Sequence, residues 1–226
     1  MNLKFYQKEY AEKDNITAEV PEPAQLAGLK ETKFLKGNKN ADRYSQIFQK
    51  LLPGKEKISV LDYGSSWGYI SWQLIEKGYD VQSFEISKPR ADYGNTHLGL
   101  NIVTNEEMLR PDVDIFFSSH VIEHHPSIPS MIQLAKKLLK PGGYFIAVSP
   151  NGSKAYRERD PFGFHKAWGK VHPNYLNADF YSSIFSNHSF YLGSSPFNIA
   201  GIAPLASSVK IKDDLSGEEL LAIVKL

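Results

Sequence analysis

The stretch Ile58-Ser-Val-Leu-Asp-Tyr-Gly-Ser-Ser-Trp-Gly68, followed by Asp80-Val-Gln-Ser-Phe-Glu-Ile-Ser87, constrains this chain more than any other. Ile58, Val60 and Leu61 form a short β-prone apolar run of the kind buried in a parallel sheet. A glycine turn, a helix and a second strand ending on an acid follow it. Asp62, Gly64 and Gly68 stand at the carboxyl end of the first strand, where open α/β sheets bind ligands. Glu85 follows Gly64 at the usual separation for a carboxylate that grips a ribose diol. The expected ligand contains a nucleoside. The dehydrogenase pattern Gly-x-Gly-x-x-Gly is not met, because Ser66 and Tyr69 stand where glycines belong, so NAD is disfavoured.

Strand and helix patterns alternate downstream. Tyr44, Ile47, Phe48, Leu51 and Leu52 repeat with helical spacing, and Pro53-Gly54 stops that helix before the first strand. Ile70, Leu74 and Ile75 give a second stripe closed by Gly78. Strands are expected at 81–86, within 98–104, at 113–119 and at 144–148. A helix at 128–139 ends at Pro141-Gly-Gly143. This order argues for βαβ units and a parallel sheet. Ser189 to Gly193 and Glu218 to Leu226 are the last strand candidates, although Leu and Glu in the second also suit a helix.

Composition narrows the function. The 226 residues suit one α/β domain with elaborations, and 42% hydrophobic content suffices for a core. A net charge of +1 offers no electrostatic reason for a nucleic-acid or acidic-membrane partner. Cysteine is absent, which excludes disulfides, thiolate–zinc sites and cysteine nucleophiles. The amino terminus lacks a signal-peptide apolar run, and no window reaches membrane-helix length. A soluble, cytoplasmic protein is expected.

Asp62-Tyr-Gly64-Ser65-Ser66-Trp67-Gly68 resembles the cofactor motif of class I S-adenosylmethionine (SAM)-dependent methyltransferases, (Asp/Glu)-x-Gly-x-Gly-x-Gly, with Ser66 in place of the middle glycine. Ser118-Ser-His-Val-Ile-Glu-His-His-Pro126 is similar to the same family's segment after its fourth strand, closest in pattern to the ubiquinone-pathway O-methyltransferases. Leu138-Leu-Lys-Pro-Gly-Gly-Tyr144 matches the family's turn before strand five. The resemblance implies a Rossmann-like, mostly parallel seven-stranded sheet with helices on both faces and an antiparallel C-terminal hairpin. It implies SAM contacts from Asp62, Gly64, Ser65, Ser66, Trp67, Gly68, Glu85, Ile86, Ser119 and His120. The chain divides into an extension at 1–39, which the resemblance suggests as a lid, and a catalytic domain at 40–226. Within that domain the stretch near 150–175, with little apolar periodicity but several histidines, arginines and aromatics, is expected to be a substrate-loop insertion.

An alcohol nucleophile benefits from a general base near neutral pH, and His120, His124, His165 and His172 are the candidates. His120-x-x-Glu123-His124 also matches the inverted zinc-protease pattern, but Pro126 and the preceding strand leave no room for the long helix that chemistry needs. A divalent metal held by some of His120, Glu123 and His124 stays open beside a role in bracing the loop, and is not favoured. Arg157 and Arg159 suit an anionic acceptor or a self-paired turn, and Trp168 or Tyr175 an apolar wall. The expected activity is methyl transfer to a hydroxyl of a small, sugar-like or anionic molecule. A non-catalytic SAM- or nucleotide-binding module and an NAD-linked oxidoreductase are the alternatives.

Overall fold

The computed structural model describes residue 7 and residues 19–37, 39–167 and 172–226. Helix α1 (Pro23–Glu31) and helix α2 (Asp42–Leu51) precede the alternating region. There β1 (Ser59–Tyr63), α3 (Tyr69–Glu76), β2 (Asp80–Phe84), α4 (Lys88–Leu98), β3 (Ile102–Val103) and β4 (Val113–Ser119) follow in turn. A 3₁₀ turn at Ile122–His124 leads to α5 (Ile128–Leu138) and β5 (Leu139–Pro150). The chain closes with α6 (Lys154–Arg159), α7 (Pro161–Ala167), α8 (Ala178–Ile184), β6 (Ser189–Ser194), β7 (Lys210–Lys212) and β8 (Glu219–Lys225).

One sheet runs in the order β3-β2-β1-β4-β5-β8-β6-β7. Strands β1 to β5 pair in parallel, and β8 pairs antiparallel with both β5 and β6. Strand order reverses between β1 and β4, which is the switch point where such sheets bind ligands.

The pleat of β5 sends Phe145 and Ala147 to one face and Tyr144, Ile146 and Val148 to the other. The first face packs on Met131, Ala135 and Leu138 of α5 and on Tyr181 of α8. The second packs on Tyr44, Ile47 and Phe48 of α2 and on Ile70 and Leu74 of α3. Helices on both faces explain why these strands read as unbroken apolar runs.

Two expectations need correction. Among the described residues the sheet has eight strands rather than seven: Lys210-Ile-Lys212 is an exposed three-residue edge that pairs parallel with β6 and carries no apolar signal. The expected antiparallel C-terminal pair is present as β6 and β8, with β7 inserted between them in sequence. The region after β5 is not an irregular loop but contains α6 and α7, tied together by buried Tyr156 and Phe164, whose rings lie 6.1 Å apart.

Of the extension at 1–39, residues 1–6 and 8–18 lie outside the described residues. Leu26 and Phe34 pack with Trp67 and Leu98 in a third cluster, so this part belongs to the core. The Gln7 side chain donates to Ile86 O at 2.8 Å and accepts from Lys88 N at 3.1 Å, at the carboxyl end of β2.

Buried Asp114, at the opposite end of the sheet, accepts from Lys55 Nζ (2.6 Å), Lys140 Nζ (2.8 Å) and both Ser59 N and Oγ (2.8 and 2.9 Å). Burial alone would raise its pKa, but these donors hold it down at about 2. A folded pKa below the unfolded one contributes stability that is full above the unfolded value and lost as pH falls through the folded value. Asp114→Asn should cost about 2 kcal/mol at pH 7 in urea unfolding, and the gap from the parent should narrow from pH 5 to pH 3. A gap independent of pH would contradict the assignment.

Candidate cofactor and acceptor site

The turn after β1 carries left-handed backbone at alternate positions: Gly64 (φ 83°), Ser66 (φ 54°) and Gly68 (φ 83°). A Cβ at Gly64 would overlap Val121 Cγ2, so the close approach of the β4 loop requires glycine there. Ser66 keeps the left-handed geometry at a cost of roughly 1 kcal/mol. Its Oγ turns away to accept from buried Arg90 at 2.8 Å, so the substitution leaves the turn intact.

Glu85 is buried immediately beyond β2. Its two oxygens accept Ser66 N (2.9 Å) and Ser87 N (2.8 Å), which locks the glycine turn to the end of β2. Burial raises its pKa against the pull of those backbone donors and of Arg90. Asp62 is also buried, and burial pushes its pKa up to about 6 although Ser71 Oγ donates to it at 2.6 Å. Trp67 points into the cluster with Phe34, and Ile86 is half-buried beside Gln7. Ser65 Oγ and Ser87 Oγ are buried with no hydrogen-bond partner among the described residues.

The adjacent edge is built from residues far apart in sequence. Ser119 Oγ lies 3.2 Å from Tyr44 Oη, to which Arg43 donates at 2.7 Å. Arg43 also pairs with Glu219 at 2.6 Å, and Glu219 Oε1 lies 3.0 Å from His120 Nε2. The His120 ring is open to solvent on one side; partial desolvation acts to lower its pKa, and the Glu123 and Glu219 carboxylates outweigh that and raise it to about 10. Glu219 is the reciprocal case: burial would raise it, while His120 and Arg43 pull it to about 2. His120 takes a left-handed φ of 55° and donates its backbone N–H to Val148 O, which fixes the imidazole at the mouth of β4.

The four histidines separate. His120, His124 and His172 gather around Glu123, with the last two rings 4.7 Å apart. His165 is exposed on α7 against Phe164 and is not part of this group. Trp168 lies outside the described residues, and exposed Tyr175 packs on Phe164. Arg157 joins Lys154, Lys212 and Tyr175 around a pocket of ≈ 420 Å³ beyond the end of β5, whereas Arg159 stacks over Tyr156.

Sequence reasoning placed Tyr44 in a core stripe and missed Arg43, Arg90 and Glu219 as parts of the site. Glu219 had one signal: the first residue of an antiparallel strand lies at the carboxyl edge of its parallel neighbours.

The profile of a methyltransferase domain matches residues 37–193, more than half of the chain. The chain belongs to the methyltransferase-domain family. In fold and motifs it is a class I SAM-dependent methyltransferase. A ubiquinone biosynthesis O-methyltransferase of Paramagnetospirillum magneticum is 29% identical over 104 residues, 42% of each chain. The biotin biosynthesis bifunctional protein BioHC of Cellvibrio japonicus is 27% identical over 114 residues, 47% of this chain and 23% of that one. The matches thus span less than half of these relatives. Among solved structures, the plantazolicin methyltransferase BpumL in complex with SAH (S-adenosylhomocysteine) superposes with a TM-score of 0.61 at 13% identity, over 99% of this chain and 94% of that one. A SAM-dependent methyltransferase from Archaeoglobus fulgidus gives 0.59 at 15%, over 91% and 100%.

The motifs are similar to those of SAM-dependent methyltransferases, and the residues present fit that cofactor. Gly64 leaves the open backbone that a ligand needs, buried Glu85 retains lone pairs for hydroxyl donors, and the orphaned Ser65 and Ser87 hydroxyls flank the same turn. Among the described residues, no helix is long and apolar enough to cross a membrane.

Proposed function

We propose that the chain methylates a hydroxyl oxygen of a small polar acceptor bearing an anionic or sugar-like group. The observation that carries this reading is the hydrogen-bonded series Ser119–Tyr44–Arg43–Glu219–His120 at the carboxyl ends of β4 and β5, next to the glycine turn. When bound, SAM supplies a sulfonium methyl group open to direct displacement. The methyl–sulfur bond breaks, the new carbon–oxygen bond forms, and the hydroxyl proton must leave.

Glu85 and the backbone of Gly64 to Gly68 hold the cofactor in this reading, with Ser65, Ile86 and Ser119 lining it. Asp62 acts indirectly, through Ser71 and the seat of α3. Trp67 braces the turn from behind rather than touching the ligand. His120 orients the acceptor oxygen as a donor, and the adjacent Glu123–His124–His172 group takes up the proton. His165 has no part in the transfer. The pocket lined by Lys154, Arg157 and Lys212 also holds Asp179, which pairs with Lys212, so Arg157 is the group that supports an acceptor with a phosphate or carboxylate.

Incubation with SAM carrying a ¹³C methyl group, across sugar phosphates, hydroxy acids, phenols and amines, tests the proposal. The label should appear as an O-methyl ether by NMR, with charged acceptors preferred. Label on nitrogen or carbon would overturn the oxygen assignment, and preference for neutral acceptors would overturn the anionic one.

A further inference from the structure

Glu123 presents an electrostatic problem that the fold leaves open. Its side chain is fully buried, and among the described residues neither carboxylate oxygen has a hydrogen-bond partner. A buried carboxylate costs several kcal/mol unless it is closely paired, and the nearest cation, the His120 ring, stops at 3.5 Å. Three imidazole nitrogens surround one of its oxygens: His120 Nδ1 at 3.5 Å, His124 Nε2 at 3.9 Å and His172 Nε2 at 4.0 Å. Direct charge-assisted hydrogen bonds would close to about 2.7–2.9 Å. All three instead stand back from the oxygen by a similar margin, as groups arranged about a common centre do.

We propose that Glu123, His124 and His172 bind one divalent transition-metal ion. Their ligand atoms all lie within 4.8 Å of one another. A metal with bonds of about 2.0–2.1 Å draws its ligand atoms to roughly 3–3.5 Å apart, so side-chain movements of about an ångström complete the site. Two imidazoles with one carboxylate suit zinc, iron(II), cobalt or nickel, whereas magnesium and calcium favour all-oxygen sets.

The scaffold is already in place. Asn174, two residues beyond His172, donates its side-chain amide to Glu123 O at 3.1 Å and to His125 O at 2.8 Å. Its backbone N–H also reaches Glu123 O at 3.2 Å, so the segment carrying His172 is pinned to the turn carrying Glu123 and His124. Such outer contacts hold metal ligands in position before the ion arrives. His120 stands beside the group, its Nδ1 3.5 Å from Glu123 and its other nitrogen held on Glu219 at 3.0 Å. Three protein ligands would leave a coordination position open, and an ion held there would make a nearby hydroxyl ionise more readily. With the ion in place the group would no longer take up the proton itself, which would pass to solvent.

The test is a Co²⁺ titration of the metal-stripped full chain, without SAM or acceptor, followed by visible d–d absorption. One equivalent should bind, and His172→Ala and Glu123→Gln should each weaken binding by about 100-fold or more. His165→Ala, on exposed α7, should bind as the parent does. Absence of saturable binding, or parental affinity in His172→Ala, would overturn the proposal. Glu123 is buried and its variant can fail to fold, in which case His172→Ala decides the matter. The readout involves no methyl transfer, so failure here leaves the transfer reading standing, and the reverse also holds.

Discussion

Glu85→Ala should weaken SAH binding by about 100-fold or more in isothermal titration. A hydrogen bond to a buried charged group contributes about 1.5–3 kcal/mol, and a ribose diol offers two hydroxyl donors. Loss of about 3 kcal/mol is roughly two orders of magnitude in Kd. The carboxylate also holds Ser66 N and Ser87 N, so its removal loosens the glycine turn and adds to the loss. Glu85→Gln retains one acceptor oxygen and should fall between parent and alanine variant. Unchanged affinity in Glu85→Ala would remove the ribose assignment.

Trp67→Ala should destabilise the fold by about 3–5 kcal/mol, the usual cost of emptying a large aromatic site. The indole is fully buried, with ring centroids 6.1 Å from Phe34, 5.1 Å from Tyr69 and 6.1 Å from Tyr93. It joins the glycine turn to helices α1, α3 and α4, so the cavity should also loosen the turn and weaken SAH binding. Urea unfolding measures the first effect. A loss below about 1 kcal/mol would mean that the N-terminal segment does not depend on this residue.

The readable parts of this molecule were those whose physics is local. The run from Val60 to Gly68 encodes a buried strand, three left-handed positions and a helix start within a few residues. Ser66 looked like a departure, and its consequence depended on Arg90, 24 positions away, which no local pattern reports. The edge strand at Lys210–Lys212 escaped because exposed pairing needs no apolar face.

The acceptor side was less legible for the same reason. His120 and Glu219 meet across 99 positions, and Arg43 and Glu219 across 176. Two carboxylates flanking a histidine raise its pKa, which supports the proposed donor role for His120 over the base its residue type suggests. His165 and His172 are seven positions apart and look equivalent in sequence, yet Asn174 anchors only the second against Glu123.

Titration of the parent chain with SAH, alongside a parallel titration with NAD⁺, tests the central claim most directly. One SAH should bind per chain and NAD⁺ should give no heat of binding. Binding of NAD⁺ with no response to SAH would contradict the reading of Gly64 to Glu85 on which the account rests.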